Sequence, residues 1–271
     1  MKPYYKTDNG QLFCFDNVKY LNTVNDNTFD LTVTSPPYDN LRDYKGYSWD
    51  FEALAKELYR TTKVGGVVVW VVGDATIKGS ETGTSFKQAL YFKEIGFNLH
   101  DTMIYEKTTQ PCHDPRNRRY KQYFEYMFIF SKGKPKTYNE IKDVKVKYPN
   151  RVFKKSTKRK QDGTMRKFTE EGRLVKSKEF MARKNIWKYS VGGKKKFNAP
   201  AIFPEKLAED HILSWSNKND LIFDPFMGSG TTAKMCEKSN RKWIGCEISE
   251  EYCEIIKHRI ETEVNQLKLE F

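Results

Sequence analysis

Leu221-Ile222-Phe223-Asp224-Pro225-Phe226-Met227-Gly228-Ser229-Gly230-Thr231-Thr232 opens a strand–turn–helix unit whose helix runs on to Lys238. The first three residues form an apolar run of strand type, and Thr231 to Lys238 has helical character. Between them, two glycines let a ligand come close to the backbone, and the helix start offers free N–H groups to a negative group. A strand at Lys242 to Ile248 follows, with Glu247 near its end, and then a helix from Glu250 to Leu267. Upstream, Phe203-Pro204 begins a helix through Leu213, with the proline in its first turn.

Three ligands suit such a turn. A nucleoside triphosphate needs G-x-x-x-x-G-K-[S/T], and no lysine follows Gly230 directly. A dinucleotide needs G-x-G-x-x-G/A, which Gly228, Gly230 and Ala233 match, with Glu247 placed as a ribose-binding acid. S-adenosyl-L-methionine is the third. Its carboxylate suits the helix start and its ribose hydroxyls suit Glu247. Its ammonium suits Asp224, a demand that a nicotinamide dinucleotide does not make.

A second unusual turn lies nearly two hundred residues earlier. Phe29 to Val33 reads as a buried strand, and Thr34-Ser35-Pro36-Pro37-Tyr38 follows it. The prolines stop the strand and fix two φ angles near −65°, and Pro36 keeps Ser35 out of the helical region. A turn that only reverses the chain favours Gly, Asn or Asp. This one is stiff, with a hydroxyl before the prolines and an aromatic ring after them.

The elements between alternate. Gln11 to Phe15 is a strand ending at Asp16, and Asn17 to Val24 a short helix. Trp49 to Lys63 has helical spacing and ends at Gly65-Gly66, as a glycine C-cap would end it. Val67 to Val72 is a continuous apolar strand of the kind that parallel sheets bury on both faces. Thr84 to Ile95 is a helix closed by Gly96. Strands at Phe97 to Tyr105 and Phe124 to Phe130 flank a charged loop, Lys107 to Lys121. Strands alternating with helices predict an α/β fold of Rossmann-like type, a mainly parallel sheet with helices on both faces.

At 271 residues and 38% hydrophobic content the chain suits one large domain with an insertion. No run of about 18 apolar residues exists, so no membrane helix is expected, and Met1 to Tyr5 lacks the apolar region of a secretion signal. Cys14, Cys112, Cys236, Cys246 and Cys253 form no C-x-x-C pair or metal spacing. They read as reduced thiols of a cytoplasmic protein, and no metal is expected. The net charge of +13 is uneven. Residues 132–200 hold 23 Lys and Arg against 6 Asp and Glu, and the rest 25 against 29. One segment therefore carries the whole excess, with Tyr138, Tyr148, Phe153, Phe168, Phe180 and Trp187 interleaved. Its polar stretches, Lys154 to Lys160 and Thr164 to Lys178, have the composition of segments partly disordered when free. A polyanionic partner follows; neutralising about six phosphates would give a log–log salt slope near −5.

Asp224 to Thr232 resembles the cofactor motif of amino-methylating DNA methyltransferases, and Thr34 to Tyr38 resembles their catalytic motif. Catalytic motif first and cofactor motif near the C-terminus resembles the circularly permuted β group. Phe203-Pro204-Glu205-Lys206-Leu207 and Phe124 to Lys132 are similar to family segments as well. The likeness covers most of the chain outside about residues 133–197. It implies a catalytic part at 1–132, a target-recognition insertion at 133–197 and a cofactor-binding part at 198–271. It implies S-adenosyl-L-methionine as cofactor, held by Thr34, Phe203, Asp224, Pro225, Phe226, Gly228, Ser229, Gly230, Thr231 and Glu247, with Asp16 on the adenine side. Ser35, Pro36, Pro37 and Tyr38 become catalytic. Ser35 and the Pro36 carbonyl would accept the hydrogens of an exocyclic amine, and Tyr38 would stack on a base taken out of duplex DNA. In the family Ser-Pro-Pro-Tyr is usual for cytosine N4, whereas Asp or Asn in the first place is usual for adenine N6. No cysteine sits in the motif, against methylation of a ring carbon. The family also suggests a cognate restriction endonuclease as functional partner, or a phage or orphan enzyme; a homodimer is compatible.

Several residues fit two readings. Asp16 is a cofactor contact or a loop aspartate. Asp74 reads as a loop residue rather than a cleft one. Phe226 packs on cofactor or on core, and Phe203-Pro204 is a cofactor-side segment or a plain helix start. Trp49 reads as core, and His113 and His211 as a loop and a helix residue. Rival functions are an adenine-N6 enzyme, a non-catalytic DNA-binding protein that keeps the fold, an RNA methyltransferase and an NAD-dependent enzyme.

Overall fold

The computed structural model describes residues 1–37, 49–109, 118–154, 158–160, 162–166, 174–191 and 203–264. Two compact units result, Met1–Asn139 with Asn185–Phe271, and Glu140–Lys184.

In the first unit β1 (Tyr5–Lys6) and β2 (Gly10–Cys14) lead into α1 (Asn17–Leu21) and β3 (Phe29–Thr34). Then come α2 (Phe51–Thr61), β4 (Thr62–Val72), a small hairpin of β5 (Thr76–Ile77) and β6 (Ser80–Glu81), and α3 (Thr84–Glu94). β7 (Asn98–Lys107) and β8 (Phe124–Ser131) follow. In the second unit lie β9 (Val144–Lys145), β10 (Val152–Lys154), β11 (Lys158–Arg159), β12 (Met165–Arg166), β13 (Leu174–Lys176) and β14 (Phe180–Met181). The first unit resumes with β15 (Ile186–Tyr189), α4 (Glu205–Trp215), β16 (Leu221–Asp224), α5 (Thr231–Lys238), β17 (Lys242–Glu247) and α6 (Glu250–Glu263).

Nine strands form one sheet in the order β1-β2-β17-β16-β3-β4-β8-β7-β15. From β2 through β4 all neighbours are parallel, while β8 runs antiparallel to both β4 and β7. Val68, Trp70 and Val72 pack with Tyr20 and Leu21 of α1, Leu54 and Leu58 of α2, and Phe92 of α3. The alternate residues Val67, Val69 and Val71 are equally buried, so β4 is covered on both faces, as its unbroken apolar run requires. The expected α/β fold with a mainly parallel sheet is present.

One expectation is corrected. Gly65-Gly66 does not cap α2. The helix passes at Thr62 directly into β4, and both glycines lie within that strand. Gly65 has φ +80°, and the register between β3 and β4 jumps from Phe29↔Thr62 to Leu31↔Val67. The pair makes a bulge. A Cβ on Gly66 would come within 3.0 Å of Asp30 O.

Asp30 closes the amino-terminal edge of the sheet. It is 4% exposed, pairs with Lys63 at 2.8 Å and with Lys136, and accepts from Leu221 N at 3.0 Å.

Within the second unit β9 pairs with β14, β10 with β13 and β11 with β12, all antiparallel. The pairs are nested, each inside the last in sequence. Arg183 pairs with Asp143 beside the outermost pair. Of the stretches expected to be loosely ordered, Lys154, Lys158–Arg159, Met165–Arg166 and Leu174–Lys176 are strand-paired.

Candidate active site at the carboxyl ends of β3 and β16

β3 and β16 are parallel neighbours, with Leu31 opposite Ile222 and Thr32 opposite Phe223. From β3 the chain crosses by α2 to β4 on one side, and from β16 by α5 to β17 on the other. The carboxyl ends of these two strands thus form a switch point, where open α/β sheets bind ligands. Both unusual turns start there.

The turns touch. Thr34 Oγ1 donates to Asp224 Oδ1 at 2.7 Å, and both residues are buried. Thr232 Oγ1 donates to Val33 O at 3.3 Å, from α5 to β3. Asp224 also accepts from Phe226 N at 3.0 Å. Burial pushes the Asp224 carboxyl up to about 6, although hydrogen bonds from Thr34, Thr232 and the Phe226 amide favour its ionised form. No cation among the described residues pairs with it.

Glu247 ends β17, one strand further out. It accepts from Gly228 N at 2.8 Å and from Ser249 N at 3.0 Å. Burial raises its pKa, and those backbone bonds oppose the rise. It therefore braces the glycine turn and still has lone pairs for a ligand hydroxyl. Gly228 and Gly230 have φ +50° and +79°, conformations that side chains rarely adopt. Among the described residues a Cβ on Gly228 would meet nothing nearer than Phe226 O at 3.9 Å, whereas one on Gly230 would lie 3.0 Å from Ile256 of α6. Of the described residues, then, none crowds Gly228, while α6 packs on Gly230.

The other expected residues divide between the site and the framework around it. Ser35 and Pro37 are half-buried and Pro36 is buried at the end of β3. Tyr38 lies outside the described residues, as does His113. Pro225 O accepts from Asn17 Nδ2 at 3.2 Å, a tie that nothing in the sequence signals beyond an Asn at a helix start. Phe226 packs edge-on against Trp49 at 5.0 Å, and both join the core cluster. Ser229 and Thr231 are buried, with hydroxyls beside Arg259 of α6. Asp16 is the N-cap of α1, accepting from Lys19 N at 2.8 Å. Phe203 is half-buried before Pro204, which is the N-cap of α4 rather than a first-turn residue. Asp74 is a loop residue that serves the framework, accepting from Ser85 N at 2.8 Å and so capping α3. His211 is fully buried in α4 against Trp187, and burial lowers its pKa to about 3. Among the described residues no cluster of His, Cys, Asp and Glu forms a metal site, and no helix is long and apolar enough to cross a membrane.

The DNA methylase family model of N6 and N4 type matches residues 29–258. The orphan methyltransferase M.BamHII of Bacillus amyloliquefaciens is 61% identical over 244 residues, covering 88% of this chain and 90% of that protein. This chain belongs to the N6/N4 DNA methylase family. The type II methyltransferase M.ScaI of Streptomyces caespitosus is 28% identical over 98% of this chain and 86% of its own length. The methylase fold is shared with the PvuII DNA methyltransferase, named as cytosine-N4-specific, at a TM-score of 0.68 and 22% identity over 95% of this chain and 88% of that one. It is shared too with TTHA0409 of Thermus thermophilus complexed with S-adenosyl-L-methionine, at 0.63 and 23% identity over 93% of each chain.

Proposed function

We propose that this methylase moves a methyl group from S-adenosyl-L-methionine to the exocyclic N4 amine of a cytosine taken out of duplex DNA. The observation that carries the reading is the Thr34–Asp224 hydrogen bond. It joins a proline turn suited to a planar base and a glycine turn suited to a charged cofactor at one switch point.

The residues present fit that cofactor. Asp224 is a buried carboxylate whose described partners are all neutral, the environment in which a ligand ammonium is favoured. Glu247 suits ribose hydroxyls, the first turn of α5 suits a carboxylate, and Gly228, uncrowded by the described residues, admits close approach. When bound, the cofactor supplies a methyl group made electrophilic by its sulfonium. The chain's own part is alignment. The Ser35 hydroxyl and the Pro36 carbonyl accept the two amine hydrogens, so that the nitrogen lone pair is directed rather than delocalised into the ring. Tyr38 stacks on the base. Positioning and electrostatics then supply most of the acceleration.

Ser35 and the stated specificity of the PvuII enzyme support cytosine over adenine. Residues 133–197, with 22 Lys and Arg against 6 Asp and Glu, are the proposed DNA-contacting insertion. The orphan M.BamHII at 61% identity supports an enzyme without a cognate endonuclease, and the type II M.ScaI at 28% supports one with such a partner. The test is to incubate duplex DNA with methyl-labelled cofactor, digest to nucleosides and identify the labelled one by mass spectrometry. Labelled N4-methyldeoxycytidine is expected. Labelled N6-methyldeoxyadenosine would overturn the base assignment, and unlabelled DNA would overturn the transfer reading.

A further inference from the structure

Behind the glycine turn lies a charged cluster that the proposed transfer does not use. Arg259 of α6 is 1% exposed. Its Nη1 donates to Ser229 O at 2.8 Å and lies 3.2 Å from Thr231 Oγ1 and 3.3 Å from Ser229 Oγ. Its Nη2 pairs with Glu205 in the first turn of α4, and its Nε lies 3.5 Å from Glu263. Lys234 of α5 pairs with the same two carboxylates. Two cations and two carboxylates balance in a mostly buried square that joins α4, α5 and α6.

A buried ion cluster is weak evidence of stability, because apolar residues of similar volume often serve the fold as well. The guanidinium does something that apolar packing cannot. Its planar fork bonds the glycine turn with one nitrogen and α4 with the other. That turn has two positive-φ glycines; Gly230 N donates to Met227 O at 2.8 Å within it, Glu247 holds its Gly228 amide, and Arg259 holds its Ser229 and Thr231 end. Ile256, one helical turn before Arg259, presses on Gly230 from the same side.

We propose that Arg259 is a positioning residue for the methyl donor, fixing the Gly228–Thr231 turn in its receiving shape through Ser229 and Thr231 rather than by touching the donor. The proposal rests on the reading that this turn holds S-adenosyl-L-methionine. Arg259 stands one residue beyond the segment matched by the family model, which ends at 258.

Lys234 supplies the control, since its ammonium shares both carboxylates while the turn's hydroxyls and the Ser229 carbonyl are bonded by Arg259. The full chain with Arg259→Lys or Lys234→Met is titrated with S-adenosylhomocysteine by calorimetry and melted without ligand. Arg259→Lys should weaken binding about tenfold or more, the loss expected when hydrogen bonds from a charged donor go. It should also raise KM for S-adenosyl-L-methionine, with kcat changed less than about threefold. Lys234→Met should lower the melting temperature and leave S-adenosylhomocysteine affinity within about twofold. If Arg259→Lys does not fold, Arg259→Met, which fills the space without charge, is read in its place. Parent-like affinity in the arginine variant, or an equal loss in the lysine variant, overturns the proposal alone. A parent chain that does not bind S-adenosylhomocysteine overturns the cofactor reading and this proposal with it.

Discussion

Asp30 and Asp224 sit on neighbouring strands, one at the start of β3 and one at the end of β16. Each is 4% exposed. Burial pushes both carboxyls up, yet the outcome is opposite. Hydrogen bonds from Lys136 and Lys63 outweigh burial at Asp30 and hold it below its ordinary value. At Asp224 the donors are hydroxyls and an amide, burial wins, and the value rises to about 6. Equal burial therefore marks two different things. The aspartate whose cations are built in fastens the amino-terminal edge of the sheet. The aspartate without a cation among the described residues stands at the switch point, where a cationic ligand would complete it.

Exchanging either acid breaks the comparison most directly. Asp224→Asn should weaken S-adenosylhomocysteine binding on the order of 100-fold, the cost of losing a buried charge partner, with little loss of stability. Calorimetry with urea unfolding reads both. Asp30→Asn should do the reverse and lower unfolding free energy by about 1–2 kcal/mol while ligand affinity stays within about twofold. The figure is kept small because Lys63 and Lys136 are 37% and 44% exposed and regain water. A shared effect on both quantities would erase the distinction.

Acidity separates the two next. The form of Asp224 that holds an ammonium is the ionised one, so affinity should rise about tenfold between pH 5 and pH 7, inflecting near 6. Stability without ligand carries the opposite sign. Asp224 favours the fold below its unfolded value near 4, and that contribution is lost as pH rises through about 6. Asp30, whose folded value is lowered, contributes above its unfolded value and loses that only as pH falls through the folded one. Asn at 224 should abolish the binding inflection. Smallest is Gly230→Ala, which forces a side chain onto φ +79° against Ile256 and should cost about 1 kcal/mol in urea unfolding.

The cofactor half of the site was legible because its signals are local. An apolar run, an acid, two glycines and a helix stand in order, and α5 occupies Thr231–Lys238 as its spacing predicts. The proline turn was legible as a stiff strand end for the same reason. Neighbouring of the two strands is a long-range fact, suggested by the family resemblance and absent from either stretch alone. Gly65-Gly66 misled because a bulge and a helix cap use the same residue for the same φ. Arg259 escaped because it interrupts the apolar stripe of Cys253, Ile256 and Ile260, where a charge reads as a helix-surface residue. The nested pairs of Glu140–Lys184 escaped because strands of two or three residues give no alternation to read.

If the proline turn and the glycine turn work as one site, a residue of the first must tune the acid of the second. Removing the Thr34 hydroxyl takes away a hydrogen bond that favours ionised Asp224. The pH dependence of S-adenosylhomocysteine binding by Thr34→Val should therefore inflect above the parent midpoint near 6. An inflection that stays where the parent has it would contradict the account.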